Sequence, residues 1–167
     1  MNRHITHTKR LRDVHRPLRD FLNTCSVLED KLGPFLIGLP ATFRKDVERF
    51  DGFLSLLPEY YFAFEFRHDS WFDEEVFERF RDHRKLTLTM LGAQFDSNVQ
   101  CVADFAYIRW HARGGDLNKY SPTEIDYWAR RIREISHQSD IFGYWNNDTH
   151  GYAPQNCLEL RQKLSSL

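Results

Sequence analysis

Ten consecutive residues hold the densest set of reactive side chains in the chain: Phe62-Ala63-Phe64-Glu65-Phe66-Arg67-His68-Asp69-Ser70-Trp71. An apolar run as long as a buried strand ends in a carboxylate, a guanidinium and an imidazole. Charge in such a run is costly to bury unless it is paired. Polar groups placed where a strand emerges therefore point to a ligand site more readily than to folding. Glu65 suits a general base or hydrogen-bond anchor, and Arg67 suits an anion clamp. His68 adds an imidazole, a side chain suited to acid/base work, and Trp71 offers a stacking wall. The same form recurs at Tyr107-Ile108-Arg109-Trp110-His111, with Arg109 as a second clamp and His111 as a second acid/base candidate. Asn146-Asn147 closes the last apolar run.

Each group also has a plainer reading. Glu65 and Arg67 alternate with Phe64 and Phe66, fall on one side of the strand, and can simply neutralise each other. His68 and Trp71 can pack a helix entry that Asp69 or Ser70 caps. Asn146-Asn147 can be turn chemistry. Thr6-His7 adds an imidazole in a stretch with no core pattern. His4, His15, His83, His137 and His150 lack supporting context and read as surface residues. No HExxH, glycine-rich phosphate loop, Walker pattern or nucleophile elbow is present. His7, Glu65, His68 and His111 lack metal-ligand spacing, so neither a metal nor a cofactor is expected.

The elements that must position these groups alternate along the chain. Val14, Leu18, Phe21, Leu22, Cys25 and Leu28 recur at helical spacing, with Pro17 in the first turn and Gly33-Pro34 as the stop. Phe35 to Leu39 reads as a buried strand. Val47, Phe50, Leu54 and Leu57 mark a second helix, closed by Pro58. Tyr61 to Phe66 is the next strand, and Phe72, Val76, Phe77 and Phe80 mark the next helix. Leu86 to Met90 is a weaker strand, followed by an irregular segment holding Gly92, Asp96 and Asn98. Phe105 to Trp110 is a strong strand ending in His111, and the loop from Ala112 to Tyr120 carries two glycines. Ser121-Pro122-Thr123-Glu124 predicts a capping box. Ile141 to Trp145 is the last strand, and Pro154 opens the last helix, with Cys157, Leu160 and Leu164 on its inner face. Strands alternating with helices in units of about 25 to 35 residues imply a parallel sheet covered by helices. In such folds the C-terminal strand ends share one face where ligands bind, so the reactive groups are expected together.

Composition narrows the classes. At 167 residues, with 41% hydrophobic and 28% charged residues, the chain fits one domain with a substantial core. Its 14 Phe, 7 Tyr and 4 Trp suggest large aromatic interfaces between layers. Lys+Arg of 23 against Asp+Glu of 24 gives no global basic field, which weighs against nucleic acid or a membrane surface. No apolar run approaches the roughly 20 residues of a membrane span, and Met1 to Arg12 is too polar for a secretory signal. Cys25, Cys101 and Cys157 have no CxxC spacing and read as reduced, mostly buried thiols of a cytoplasmic protein.

Taken together these residues resemble the DUF72 family, also called YecE-like, TIM-barrel proteins of unknown function. The matching segments are Ile5-Thr6-His7-Thr8-Lys9-Arg10-Leu11, Leu32-Gly33-Pro34-Phe35-Leu36-Ile37-Gly38-Leu39-Pro40 and Glu65-Phe66-Arg67-His68-Asp69-Ser70-Trp71. Tyr107 to His111, Asn146-Asn147-Asp148, Gly151-Tyr152-Ala153 and Asn156 continue them. The resemblance spans the chain as a single domain, residues 1–167. Two positions depart from it: family members usually carry Gln at Gly38 and Gly at Ala112. The larger departure is at the front, where Met1 replaces a part that bears two further strands. The resemblance thus implies an α/β fold, a partial TIM (β/α)8-like barrel of about five βα units, lacking the first two strands and most of the third.

A small anionic or polar ligand is expected at the C-terminal barrel face. Glu65, His68 and His111 are the acid/base candidates, and His7, Arg67, Trp71, Arg109, Tyr120, Asn146 and Asn147 the ligand-binding ones. Hydrolase and lyase chemistry are both open to such a set. A nucleic-acid-binding module and a non-catalytic remnant are the alternatives. An incomplete barrel exposes strand edges, so self-association through them is a further expectation.

Overall fold

Short apolar runs and helix-spaced apolar faces alternate along the chain, and they fold into five strands, β1 to β5, paired in sequence order and parallel throughout. The structure, a computed structural model, describes residues 1–81, 83–91, 103–111 and 119–166. The chain divides into two units, Met1–Leu88 and Thr89–Leu167.

The first unit opens with a π-helix at His4–Thr8, which buries Ile5 and Thr6. The expectation of no core pattern there is corrected: Ile5, Leu11 and Val14 are all core residues. Helix α1 (His15–Cys25) has Pro17 in its first turn. It does not run on to Leu28. The chain tightens into a 3-10 turn at Ser26–Lys31, in which Glu29 has φ 48°, and leaves Val27 and Leu28 exposed. Strand β1 (Phe35–Gly38) leads to α2 (Val47–Leu54), where the Asp46 carboxylate caps the Arg49 amide. That helix ends before Leu57. Strand β2 (Phe62–Glu65), a 3-10 turn at Asp69–Trp71, α3 (Glu74–Arg81) and β3 (Leu86–Leu91) follow.

Side chains alternate across β2. Phe62, Phe64 and Phe66 take one side. Phe64 packs edge-on against Phe50 of α2 at 5.3 Å and Phe80 of α3 at 5.6 Å. Trp71 stacks on Phe66 at 4.8 Å and donates its indole N–H to the Phe43 carbonyl at 2.7 Å. Each fully buried ring in this cluster contributes roughly 2 kcal/mol of transfer free energy. Phe72, expected in the α3 pattern, is instead exposed between the turn and the helix. Ala63 and Glu65 occupy the opposite side of β2.

In the second unit Thr89 to Leu91 of β3 pair with β4 (Phe105–His111), and β4 pairs along its length with β5 (Asp140–Asn146). Helix α4 (Pro122–Ser136) starts with the expected box: the Ser121 hydroxyl accepts from the Glu124 amide, and the Glu124 carboxylate accepts from the Ser121 amide. Ala106, Ile108 and Trp110 pack with Trp128 of α4 and Leu160 of α5 (Tyr152–Ser166). Trp110 also stacks on Trp145 at 4.3 Å. Phe105, Tyr107, Arg109 and His111 take the other face of β4. The inner face of α5 differs from expectation. Ala153, Asn156 and Leu160 are buried, whereas Cys157 is exposed and Cys25 only half-buried.

Gly92, Asp96, Asn98, Cys101 and the loop 112–118 lie outside the described residues. Among the described residues, no helix is long and apolar enough to cross a membrane.

Candidate functional site

Glu65 is the last residue of β2 and is 2% exposed, while Arg67, two residues on, has 51% of its side chain in solvent. The alternation of the strand puts both on the side away from the phenylalanines. Arg67 Nε and Nη2 approach Glu65 Oε1 at 2.9 and 2.8 Å, so one carboxylate oxygen holds two nitrogens of the fork. Among the described residues, Arg67 Nη1 engages no partner. The pair thus neutralises a buried carboxylate and leaves half of the arginine side chain in solvent.

His7, in the π-helix, belongs to the same neighbourhood. Burial, and then the charges of Arg3 and Arg67, hold its imidazole below the ordinary value of 6.5. Its Nδ1 lies 2.8 Å from the Thr6 hydroxyl, and Thr6 is itself buried. His68 is half-buried and points its Nδ1 at the Ser70 amide, which donates to it at 3.1 Å. A neutral His68 therefore carries its proton on Nε2. Trp71 is fully buried between Phe43, Phe50 and Phe66, so in this structure it walls the core and braces the turn that carries His68.

That turn is clasped from the preceding loop. The Lys45 amide donates to the Ser70 hydroxyl at 2.8 Å, and Lys45 Nζ bonds Asp73 and Glu75. The Asp73 carboxyl is held below its ordinary range by that lysine, and the Lys45 ammonium is raised in return.

In the second unit, Arg109 and His111 share one face of β4 beside Tyr144 and Asn146 of β5. Arg109 Nε and Nη2 donate to Asn146 Oδ1 at 3.3 and 3.1 Å. The two remaining site candidates are buried. Tyr120 donates its hydroxyl to the His111 carbonyl at 3.2 Å, and Asn147 donates to Asn156 Oδ1 at 3.0 Å. Asn156 also receives the Tyr120 amide at 3.1 Å and donates back to the Tyr120 carbonyl at 3.1 Å. One amide side chain thus bonds both the residue ahead of α4 and the residue after β5.

The sequence reading gave Asn156 no site role. Its signal was an amide standing at helical spacing between Ala153 and Leu160 on an otherwise apolar face. Ser70, expected as a helix-entry cap, instead accepts from the Lys45 amide, and that bond leaves no local mark because the two residues lie on different loops.

A cavity of about 530 Å³ in the first unit runs along α1, past Leu18, Leu22, Pro58 and Tyr60. It touches none of the site candidates. Among the described residues, no group of three or more His, Cys, Asp or Glu is placed to hold a metal ion.

Residues 1–167 match the family model described as a protein of unknown function, DUF72. A DUF72 family protein from Thermotoga maritima superposes with a TM-score of 0.83 at 25% identity, over 98% of this chain and 71% of its own. Two structures of a DUF72 family protein from Enterococcus faecalis superpose at TM-scores of 0.71 and 18% identity, over 90% and 87% of this chain. This chain covers 66% of each Enterococcus chain, and the likeness there is one of fold alone. No curated protein matches the chain. The parallel strand order and these superpositions make the fold α/β, that of a partial TIM-like barrel.

Proposed function

We propose that this chain, which belongs to the DUF72 family of proteins of unknown function, binds a small anionic or polar ligand at the C-terminal end of β2. The Glu65–Arg67 pair carries this reading. A carboxylate 2% exposed fixes one edge of a guanidinium whose side chain is half in solvent, and fixing the fork in advance lowers the entropy of closing it on an anion. The place is also where parallel β/α folds take their ligands.

His7 supports the same reading. Burial, and after it the charges of Arg3 and Arg67, depress its imidazole. An anion seated beside Arg67 offsets those charges, so His7 takes up a proton as the ligand binds. His68 presents Nε2–H as a donor, and with Glu65 it supplies the acid and the base of hydrolase or lyase chemistry. In the second unit Arg109 and His111 are the corresponding groups. The free thiols of Cys25 and Cys157 suit a reducing, cytoplasmic setting.

Titration calorimetry with inorganic phosphate and with succinate tests the proposal. Arg67→Ala weakens binding at least about tenfold, or ~1.4 kcal/mol. Wild-type affinity rises as the pH drops below 6.5, the ordinary imidazole value beneath which His7 takes up its proton. Unchanged affinity in both Arg67→Ala and Glu65→Gln removes the pair from the site and overturns the reading.

A further inference from the structure

The cavity of about 530 Å³ in the first unit lies between two successive pieces of this chain, α1 and the turn that joins α2 to β2. Both walls are therefore its own, and both are fixed. On α1, Leu18 and Leu22 are core residues, 2% and 9% exposed. Across from them, the Leu56 amide donates to the Phe53 carbonyl at 3.1 Å and the Tyr60 amide to the Pro58 carbonyl at 2.7 Å. The Tyr60 ring stands 5.8 Å from Phe35, which meets Phe21 of α1 at 5.6 Å. This wall thus faces the second half of the helix. The volume falls within the usual range of small-molecule sites, roughly 300–1,000 Å³. The stretch of chain that lines it, from His15 to Ser26, is about 16 Å long.

Charge is spread unevenly around this apolar slot. Arg16 and Arg19 line it with side chains 85% and 68% exposed, and His15 adds an imidazole. Among the described residues, no Asp or Glu lines it. The two guanidiniums share one carboxylate, that of Asp20, and each Nε is 3.7 Å from it, longer than a hydrogen bond. Ion pairs so long and so exposed hold little energy. One negative charge against two positive ones leaves the rim cationic. A neutral apolar ligand would leave that charge unanswered, and a cation would be repelled. An anion with an apolar body matches both parts. The parts also come in order, because Arg16 and Arg19 lie in the first half of α1 and the Tyr60 wall faces the second.

We propose that this groove binds a small amphipathic carboxylate, with its head on Arg16 and Arg19 and its apolar tail against Leu22, Leu56 and Tyr60. The site is separate from the Glu65–Arg67 pair, neither member of which lines it.

Titration calorimetry with decanoate tests this, beside decanol, which keeps the tail and lacks the charge. Decanoate should bind at one per chain and at least about tenfold more tightly than decanol. Arg16→Glu combined with Arg19→Glu changes only exposed side chains. It should weaken decanoate binding at least about tenfold and retain the circular dichroism melt. Leu56→Trp fills the slot and should abolish binding; if that variant unfolds, the glutamate variant decides the matter. Arg67→Ala should leave decanoate affinity unchanged. No saturable binding, decanol as tight as decanoate, or undiminished affinity in the glutamate variant overturns the proposal. So does a loss of affinity in Arg67→Ala, which would put decanoate at the end of β2 instead.

Discussion

Arg67 spans from solvent to the buried end of β2 to place two nitrogens on a single oxygen of Glu65, at 2.9 and 2.8 Å. The carboxylate is 2% exposed and the arginine side chain 51% exposed, so the two partners do not lose equally when the pair is broken. Arg67→Ala strands a charge that is already desolvated. Its expected cost is about 2 kcal/mol, below the usual range for buried pairs because half the arginine is in water. Glu65→Gln with Arg67→Ala restores part of that loss by removing the stranded charge. A urea double-mutant cycle checks this, and strictly additive losses would contradict it.

His7 supplies a pH signature. Burial, then Arg3, then Arg67 depress its imidazole below 6.5, so the folded chain resists a proton that the unfolded chain accepts. Stability is therefore full above about 6.5 and falls as pH drops from there through the folded value of His7. His7→Gln flattens that part of the stability profile. Arg67→Ala moves the His7 titration, followed by NMR, back toward 6.5. A His7 midpoint that does not move would separate it from Arg67 and from the site.

The contrast between Glu65 and Asn156 marks how far the chain could be read without a structure. Strand alternation is local, so Glu65 and Arg67 could be put on one side of β2 from four adjacent residues. The Ser121–Glu124 box is equally local. The π-helix His4–Thr8 left no such mark, since its spacing matches neither a strand nor an ordinary helix. The positive φ angles of Arg10, Leu11 and Asp13 after it are equally silent, because none of these residues is a glycine. Leu28 sits at helical spacing, but the chain had already tightened into a 3-10 turn. Trp71 reads as a ligand wall only until the Phe43 carbonyl, 28 positions away, is known to take its N–H.

Asn156 bonds Tyr120 across 36 positions, satisfying both its N–H and its C=O at 3.1 Å, and receives Asn147 at 3.0 Å. Asn156→Ala withdraws these partners inside a fully buried site. The expected loss is about 3 kcal/mol, from two or more abandoned buried groups. Asn156→Asp keeps the acceptor for the Tyr120 amide but loses the donor, and it buries a charge. It should therefore also destabilise, more strongly at neutral pH than in acid. Urea unfolding at the two pH values measures this, and an aspartate variant as stable as wild type would refute the double role of the amide.

Gly143 faces Trp110 so closely that an added Cβ would stand 2.7 Å from Cζ3 and 3.0 Å from Cη2 of the indole. That ring cannot retreat easily, because it stacks on Trp145 at 4.3 Å and meets Trp128 edge-on at 5.2 Å. Gly143→Ala should therefore cost about 1–3 kcal/mol, the usual range for overpacking a filled core. Its near-ultraviolet circular dichroism should change with the displaced indoles, while the helical signal stays. Pairing Gly143→Ala with Trp110→Phe removes the part of the ring that the new methyl group strikes. The double variant should then be less unstable than the sum of its two single changes. A thermal melt of the four proteins tests this coupling, and additive losses would mean that the glycine is not kept there for Trp110.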